Sequence, residues 1–568
     1  MKMWTVLILV RLLLVILPQT GYLHPDEFFQ STEIMAGNIF GMNITAAWEF
    51  NTSFPMRSVT FTYIIVGIPY ICLKTLSDIF SFVPSGYVMV VLPRLIITLF
   101  SLLHDWWLYK LCCMYRKDYV SCLTLFCSSY VCLVFYTRTF SNTVEALFMS
   151  ALLYVVGKAM YLHDYHKKGK SKQESKQIED SSIQVPYGTN IVAVIITGGF
   201  FNRPTFLLFA TTPVLFWILT GLDLSWSSST KLLKRLASLV PLMSLTALQL
   251  ILVDSLYYTE LSFSNLMTFQ KDWTKLLDHV VITPINFIIY NTNRENLKEH
   301  GLHPWYLHLF VNIPLLYSVL GLCSFWQYIS TMKKLITSKL TCQLSAITGL
   351  MISSIFFPVL TLSAFPHQEP RFLISLLMPL AFLCSEMVFN KFFFTFFWCF
   401  TNVLCTIFFG FLHQGGLVPC LLNLQKIVDL KARDNHVVFF HTYMPPQHLM
   451  RSYLIDDHQS NIQIHDLAGG GTEELKAKIS TLLNDPQNKN TFVYLVIPGT
   501  LKNITNEMLK KSKDKGLFKI ELETIGKFFP HLSMEDPPHL QHLNIRKNTT
   551  SLVDELVTLF TLYLFKVS

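Results

Sequence analysis

MKMWTVLILVRLLLVILPQTGYLHPDEFF, residues 1–29, is the stretch from which the fold is read. It opens with a lysine and an apolar run broken only by Arg11, and it has no small-residue cleavage site. That pattern reads as an uncleaved signal-anchor helix. Directly behind the anchor, His24, Asp26 and Glu27 crowd into four positions around Pro25, which fixes the local backbone. The first half of the stretch sets the solvent, and the second half is the first place to look for chemistry.

Moving outward, uncharged or nearly uncharged runs recur near 58–80, 86–108, 119–137, 143–162, 190–222, 236–253, 304–328, 340–363, 372–386 and 390–412. With the anchor they predict about ten to twelve membrane spans. Composition agrees: of 568 residues 51% are hydrophobic and only 14% charged, and mean hydropathy is +0.41. A soluble domain carries about 25% charged residues, so a soluble enzyme is excluded. The twelve cysteines all precede residue 421 and sit almost entirely in apolar runs. There they act as small hydrophobes, and in the polar C-terminal part, which has no cysteine, neither a disulfide framework nor a Cys/His zinc site is expected.

The net charge of +8 is gathered in short stretches between apolar runs rather than along an aromatic-interleaved stripe. Membrane orientation explains that better than nucleic-acid binding. The basic linker at 163–182, the turn holding Lys110, Arg116 and Lys117, and the group Lys333, Lys334 and Lys339 are expected on the cytosolic side. TRTFSNTVE (137–145) then falls on the opposite side. Sequons at Asn43, Asn51, Asn503 and Asn548 would put the first loop, about 21–57, and the C-terminal region there too. If that loop is lumenal, the 58–80 segment must contribute zero or two crossings, as a re-entrant or tilted segment would.

After residue 424 the character changes. The expected organisation is a multi-spanning domain over 1–424 and a C-terminal lumenal α/β domain over 425–568, with a GGG turn at 469–471 and a strand in TFVYLVIPGT (491–500). The last stretch, SLVDELVTLFTLYLFKVS (551–568), has helical spacing and reads as an amphipathic core helix or a membrane-surface one. Asp456-Asp457 reads as a solvated turn.

Ionisable groups are costly at a membrane boundary, so loops flanked by spans carry the functional candidates. His24, Asp26 and Glu27 are the first; the competing reading makes Asp26 a helix N-cap. His367, Glu369 and Arg371 in FPHQEPRFL (365–373) are the second, where an arginine suits bidentate contact with a phosphate or snorkels to the headgroups. Trp48-Glu49, Arg57, Pro93-Arg94-Leu95, Arg138 to Glu145, Arg203, Asn286 and His303 sit in further loops. Singly each fits a cap, an aromatic belt or a snorkelling charge.

As an ordered set, HPDEFFQ, WEF, RS, PRL, TRTFSNTVE, NRPT, HPWY and HQEPRF resemble the dolichol-phosphate-mannose-dependent mannosyltransferases of the endoplasmic reticulum, glycosyltransferase family 22 of the GT-C superfamily. The resemblance covers most of residues 1–415. The run TPINFIIYNTNRENLKEHGLHPWYLH is similar to the branch that adds the fourth, side-branching mannose to glycosylphosphatidylinositol (GPI) precursors. Several relatives have Lys where this chain has Gln368, so no charge is required of that position.

The resemblance implies a polytopic α-helical membrane protein of GT-C type with lumenal loops, a C-terminal α/β appendage and an active site facing the endoplasmic-reticulum lumen. It implies transfer of mannose from dolichyl-phosphate mannose to an acceptor 2-hydroxyl, giving an α1,2 link with inversion in a single displacement. Asp26 would be the base, with Glu27 and His24 shaping it. Arg371, His367, Glu369 and Arg203 would hold the donor phosphate, and Trp48, Glu49, Arg57 and His303 the acceptor.

No cofactor or metal is expected, because a lipid-phosphate leaving group carries less charge than a nucleoside diphosphate. The partners expected are the donor lipid, a GPI glycolipid and membrane lipid, with no nucleic acid; nothing in the sequence fixes an oligomeric state. Related acceptors, the second GPI mannose or the lipid-linked N-glycan precursor, stay open. So does a transporter or lipid scramblase, although no internal repeat is found.

Overall fold

The computed structural model describes residues 3–168, 186–222, 226–259, 279–299, 301–337, 345–427, 434–450, 461–484, 491–507, 521–538 and 549–568. His300, Lys339, Asp456-Asp457, Asn548 and most of the basic linker at 163–182 lie outside them. The chain forms two compact units assembled from interleaved segments. The first comprises 1–12, 47–64 and 97–402, and the second 13–46, 65–96 and 403–568.

Among the described residues six helices are long and apolar enough to cross a membrane: Thr60–Phe80, Gly86–Tyr115, Ser141–Lys167, Ser229–Tyr258, Pro370–Phe389 and Phe392–Leu412. Six shorter apolar helices accompany them, Met3–Ile16 among them. The molecule is thus a multi-pass helical protein, as its composition requires. The 58–80 segment, expected to re-enter or to lie tilted, runs as one 21-residue helix, Thr60–Phe80, without the break a hairpin would need. The 190–222 run, by contrast, is two helices, Thr189–Asn202 and Phe206–Leu219. Arg203 between them is extended at φ −154°, ψ 123°, the conformation a following proline imposes on its neighbour.

In the first unit, the arginine that interrupts the anchor is buried and paired. Arg11 Nη1 and Nη2 donate to Asp105 at 2.9 and 3.0 Å, and Nη1 also reaches Ser101 Oγ at 3.1 Å. A guanidinium among apolar helices survives only with such a bidentate carboxylate.

The second unit carries a five-stranded mixed sheet. Its strands are β1 (Asp434–Phe439), β2 (Asn461–Asp466), β3 (Thr491–Pro498), β4 (Leu522–Phe528) and β5 (Leu562–Val567), in the order β2-β1-β3-β5-β4. β1 pairs in parallel with β2 and β3, while β5 is antiparallel to β3 and β4. Val438, Val493, Leu495 and Phe565 from the strands pack with Leu475 and Ile479 of the helix Thr472–Asn484.

The strand expected in 491–500 is β3. The helical reading of 551–568 holds only for Thr549–Leu559; LYLFKV beyond it is β5, buried between two partners. A short, nearly continuous apolar run fits a buried strand as well as a buried helix, and only its neighbours decide.

Candidate active site

The break between the helices at 202–206 brings Arg203 into the first unit's interior, where it is 4% exposed. Its Nη1 donates to Ser141 Oγ at 3.1 Å, and its Nε lies 3.9 Å from Glu145 Oε2. Thr205 Oγ1 donates to the other oxygen of Glu145 at 2.9 Å. Ser141 and Glu145 stand on the first turns of Ser141–Lys168, one helical turn apart, so both face the same arginine.

A second guanidinium approaches from the first loop. Arg57 Nη2 donates to Glu49 Oε1 at 2.8 Å, and Nη1 reaches the same Ser141 hydroxyl at 3.5 Å. The loop is held from below: Asp254, buried, accepts from Ser58 Oγ, Val59 N and Thr283 Oγ1 at 3.0, 3.1 and 2.8 Å. Tyr258 donates to the Arg57 carbonyl at 2.7 Å.

The third guanidinium comes from the first turn of Pro370–Phe389. Arg371 donates to Glu369 through Nε and, at 3.0 Å, through Nη2. His367 Nε2 meets the same carboxylate at 2.8 Å. Phe372 lies under two of the cations, its ring centre 5.3 Å from the Arg203 guanidinium carbon and 5.7 Å from that of Arg371. Arg203 feels Arg57 and Arg371 as like charges and Glu145 and Glu49 as opposite ones. Two arginines therefore meet at one phenyl face, Arg57 stands beside Arg203 through the shared Ser141 hydroxyl, and each of the three has a carboxylate partner.

His303 joins through the backbone: its N–H donates to the Pro366 carbonyl at 2.7 Å, and its Nδ1 accepts from Gln368 N at 3.3 Å. Gln368, almost fully buried, is a structural bolt. Its oxygen accepts the His308 N–H, and its amide donates to the carbonyls of Ser363 and Phe365. Trp48 leans on Tyr290 with ring centres 4.7 Å apart and remains 49% exposed.

The other candidates lie in the second unit. Asp26 Oδ2 accepts from Gln30 Nε2 at 2.6 Å, and its N–H donates to His24 Nδ1 at 3.2 Å. The Asp26 carboxyl keeps 20% of its surface exposed and His24 34%, so both are open to a ligand. Glu27 points inward instead, 1% exposed, and accepts from Arg94 Nε at 2.7 Å. Arg94 also donates to the Gln19 carbonyl at 2.8 Å and lies over the Phe28 ring.

Behind this turn, Gly21 N donates to the Gly410 carbonyl at 2.7 Å, and Tyr22 N to that of His413 at 2.9 Å. Burial, followed by the fields of Glu27 and Glu33, pushes the Tyr22 phenol well up. It therefore stays a donor, to the Met444 carbonyl at 3.0 Å.

Thus Glu49, Arg57, Arg203, His303, His367, Glu369 and Arg371 share one unit, and His24, Asp26 and Glu27 the other. Sequence reasoning assigned no role to Arg94, Ser141, Glu145, Asp254 or Phe372. The signal for Glu145 and Asp254 is a carboxylate inside an apolar helix, which demands a partner. Among the described residues no three His, Cys, Asp or Glu side chains are grouped as metal ligands would be.

Multi-pass helices with arginine–carboxylate pairs gathered at their breaks define a polytopic membrane protein with a buried ionic site, and comparison with known proteins narrows that class to glycosyltransferases. The chain belongs to the Alg9-like mannosyltransferase family, which it matches over residues 2–448. It is 35% identical to GPI alpha-1,2-mannosyltransferase 4 of Homo sapiens, across 95% of this chain and 90% of that one. It is 32% identical to GPI mannosyltransferase 4 of Drosophila melanogaster, across 94% and 86%. A solved structure, ArnT from Cupriavidus metallidurans bound to undecaprenyl phosphate, is similar with a TM-score of 0.45 and 11% identity over 99% of this chain and 98% of that one. The family expected from the ordered loop motifs is borne out.

Proposed function

We propose that this mannosyltransferase moves mannose from dolichyl-phosphate mannose onto the 2-hydroxyl of the third mannose of a GPI precursor, adding a fourth in α1,2 linkage at the lumenal face of the endoplasmic reticulum. The observation that carries the phosphate chemistry is the meeting of Arg203 and Arg371 at Phe372, with Arg57 joined to Arg203 through the Ser141 hydroxyl and each arginine within reach of a carboxylate. Arginines held this way are pre-aimed donors, and stabilising charge on a departing phosphate needs donors that do not have to reorganise. The names of the relatives support the acceptor.

In this reading Asp26 takes the proton from the acceptor hydroxyl. The freed oxygen pair attacks the anomeric carbon, the bond from that carbon to the phosphate oxygen breaks, and dolichyl phosphate leaves with the pair. One displacement inverts the β-linked donor to an α product. Arg371, with His367 and oriented by Glu369, receives the developing phosphate charge, and Arg203 holds a second phosphate oxygen. Glu49 and Arg57 serve the acceptor, with Trp48 as a stacking face and His303 at the edge. Glu27, locked to Arg94, shapes the turn, and His24 sets the position of Asp26. No metal ion takes part.

The test is a transfer assay with membranes carrying the protein, radiolabelled dolichyl-phosphate mannose and a three-mannose GPI acceptor. A four-mannose product that α1,2-mannosidase trims is expected. Labelling of a two-mannose GPI or of an N-glycan precursor instead would reassign the acceptor. Transfer retained by Asp26→Asn would remove the base.

A further inference from the structure

Within the second unit, residues 443–450, beyond the last candidate span, lie against both ends of the turn that carries Asp26. At its start, Tyr22 bonds the Met444 carbonyl, and its ring meets those of Tyr443 and Phe28 edge-on, with centres 5.5 and 4.9 Å apart. At its end, Phe28 lies 6.2 Å from the His448 ring. The helix that follows, Glu33–Phe40, then supplies the anchor point.

Glu33 is fully buried and collects four donors: Gln447 N at 3.0 Å, His448 N at 3.3 Å, Thr45 N at 3.4 Å and His448 Nδ1. Gln447 Nε2 adds a bond to Thr45 Oγ1 at 2.8 Å. A buried carboxylate filled this completely has one geometry, since losing any donor leaves an acceptor stranded away from water. Among the described residues His448 Nε2 is buried without a hydrogen-bond partner, and the ring's polar contact there is the one to Glu33. The family match ends at His448 itself.

We infer that Glu33 and His448 are positioning residues for the transfer, a clamp by which the segment after the last span holds the Asp26 turn in register. The clamp acts through the helical turn Phe28–Thr32, which runs directly into Glu33–Phe40 and carries Gln30, the residue that donates to Asp26. The inference rests on the reading of Asp26 as the base.

Its test compares His448→Ala, His448→Asn, Glu33→Gln and Asp26→Asn in the transfer assay, with elution profile and thermal unfolding recorded for each purified full-length protein. Misplacing a catalytic group by about 1 Å costs about a hundredfold in rate. His448→Ala is therefore expected to lose about tenfold to a hundredfold in kcat, on the same principle, with KM for dolichyl-phosphate mannose unchanged. His448→Asn, which keeps an N–H where Nδ1 stood, should recover most of it. Glu33→Gln preserves shape and remains informative should His448→Ala fail to fold. It should fall in kcat as well.

Wild-type kcat in folded His448→Ala and Glu33→Gln would overturn the clamp. So would a loss in kcat that only tracks the fraction of folded protein and is not rescued by asparagine. If Asp26→Asn retains transfer, the base reading fails first and takes the clamp's target with it. If Asp26→Asn is dead and the clamp variants are fully active, the clamp alone falls.

Discussion

Replacing Glu27 with leucine should destabilise the second unit by about 3–5 kcal/mol, the usual cost of stripping one partner from a buried ion pair. Glu27 and Arg94 are 1% and 3% exposed, and Arg94 reaches Oε1 at 2.7 Å through both Nε and Nη2. Charge centres about 4 Å apart attract by about 4 kcal/mol at an effective dielectric of about 20, which agrees with the mutational figure. Arg94→Leu should cost about 1 kcal/mol more, because it also strands the Gln19 carbonyl.

The double variant is the decisive arm. Two apolar side chains leave no unpaired charge, so its cost should fall about 2–3 kcal/mol short of the sum of the singles. Equilibrium unfolding in mixed micelles, titrated with a denaturing detergent, measures all three. Additive costs, or single variants within about 0.5 kcal/mol of wild type as surface substitutions are, would refute the idea that this pair holds the turn.

Other outcomes follow from single contacts. A Cβ on Gly21 would stand 2.3 Å from the Phe409 oxygen and 2.7 Å from the Gly410 carbon, both backbone, so Gly21→Ala should abolish folded protein on size-exclusion chromatography. Arg371→Lys gives up the fork that grips Glu369 and should lower kcat/KM about tenfold to a hundredfold, which is about 1.4–2.8 kcal/mol of transition-state binding.

His531 is 1% exposed and accepts Gly416 N–H at Nδ1; burial, with His413 adding to it, holds it down at about 3 against 6.5 unfolded. The unfolded chain therefore takes up the proton first. Stability is full above 6.5 and is lost as pH falls toward 3, by about 2 kcal/mol at pH 5. His531→Gln should flatten that slope in urea melts read at the two pH values. Leu564→Asp puts a charge into the fully buried β5 and should lose the C-terminal sheet, seen as rapid proteolysis beyond residue 430 while the membrane helices stay protected.

Much of the site was legible because ionisable residues beside apolar runs are conspicuous. Arg57, Arg203 and Arg371 stand out for that reason, and Arg203 and Arg371, drawn from distant loops, do meet at one ring. Phe372 was not legible, since one phenylalanine among 46 carries no mark. The family resemblance makes Glu27 a residue that shapes the base, but no pattern marks Arg94 as its partner, because pairing across 67 positions is invisible locally. Glu33 and His448 were missed altogether: each looks like a surface residue in its own stretch, and only their meeting buries them.

What the sequence determined by itself is the solvent and the helical plan, since apolar length over about 20 residues permits few alternatives in a membrane. It also determined the family, through loop motifs in a fixed order. Tertiary structure alone decided that LYLFKV is a strand between β3 and β4 and which carboxylate neutralises which arginine. Burial and partner choice are properties of what surrounds a residue, and a chain read one window at a time contains no surroundings.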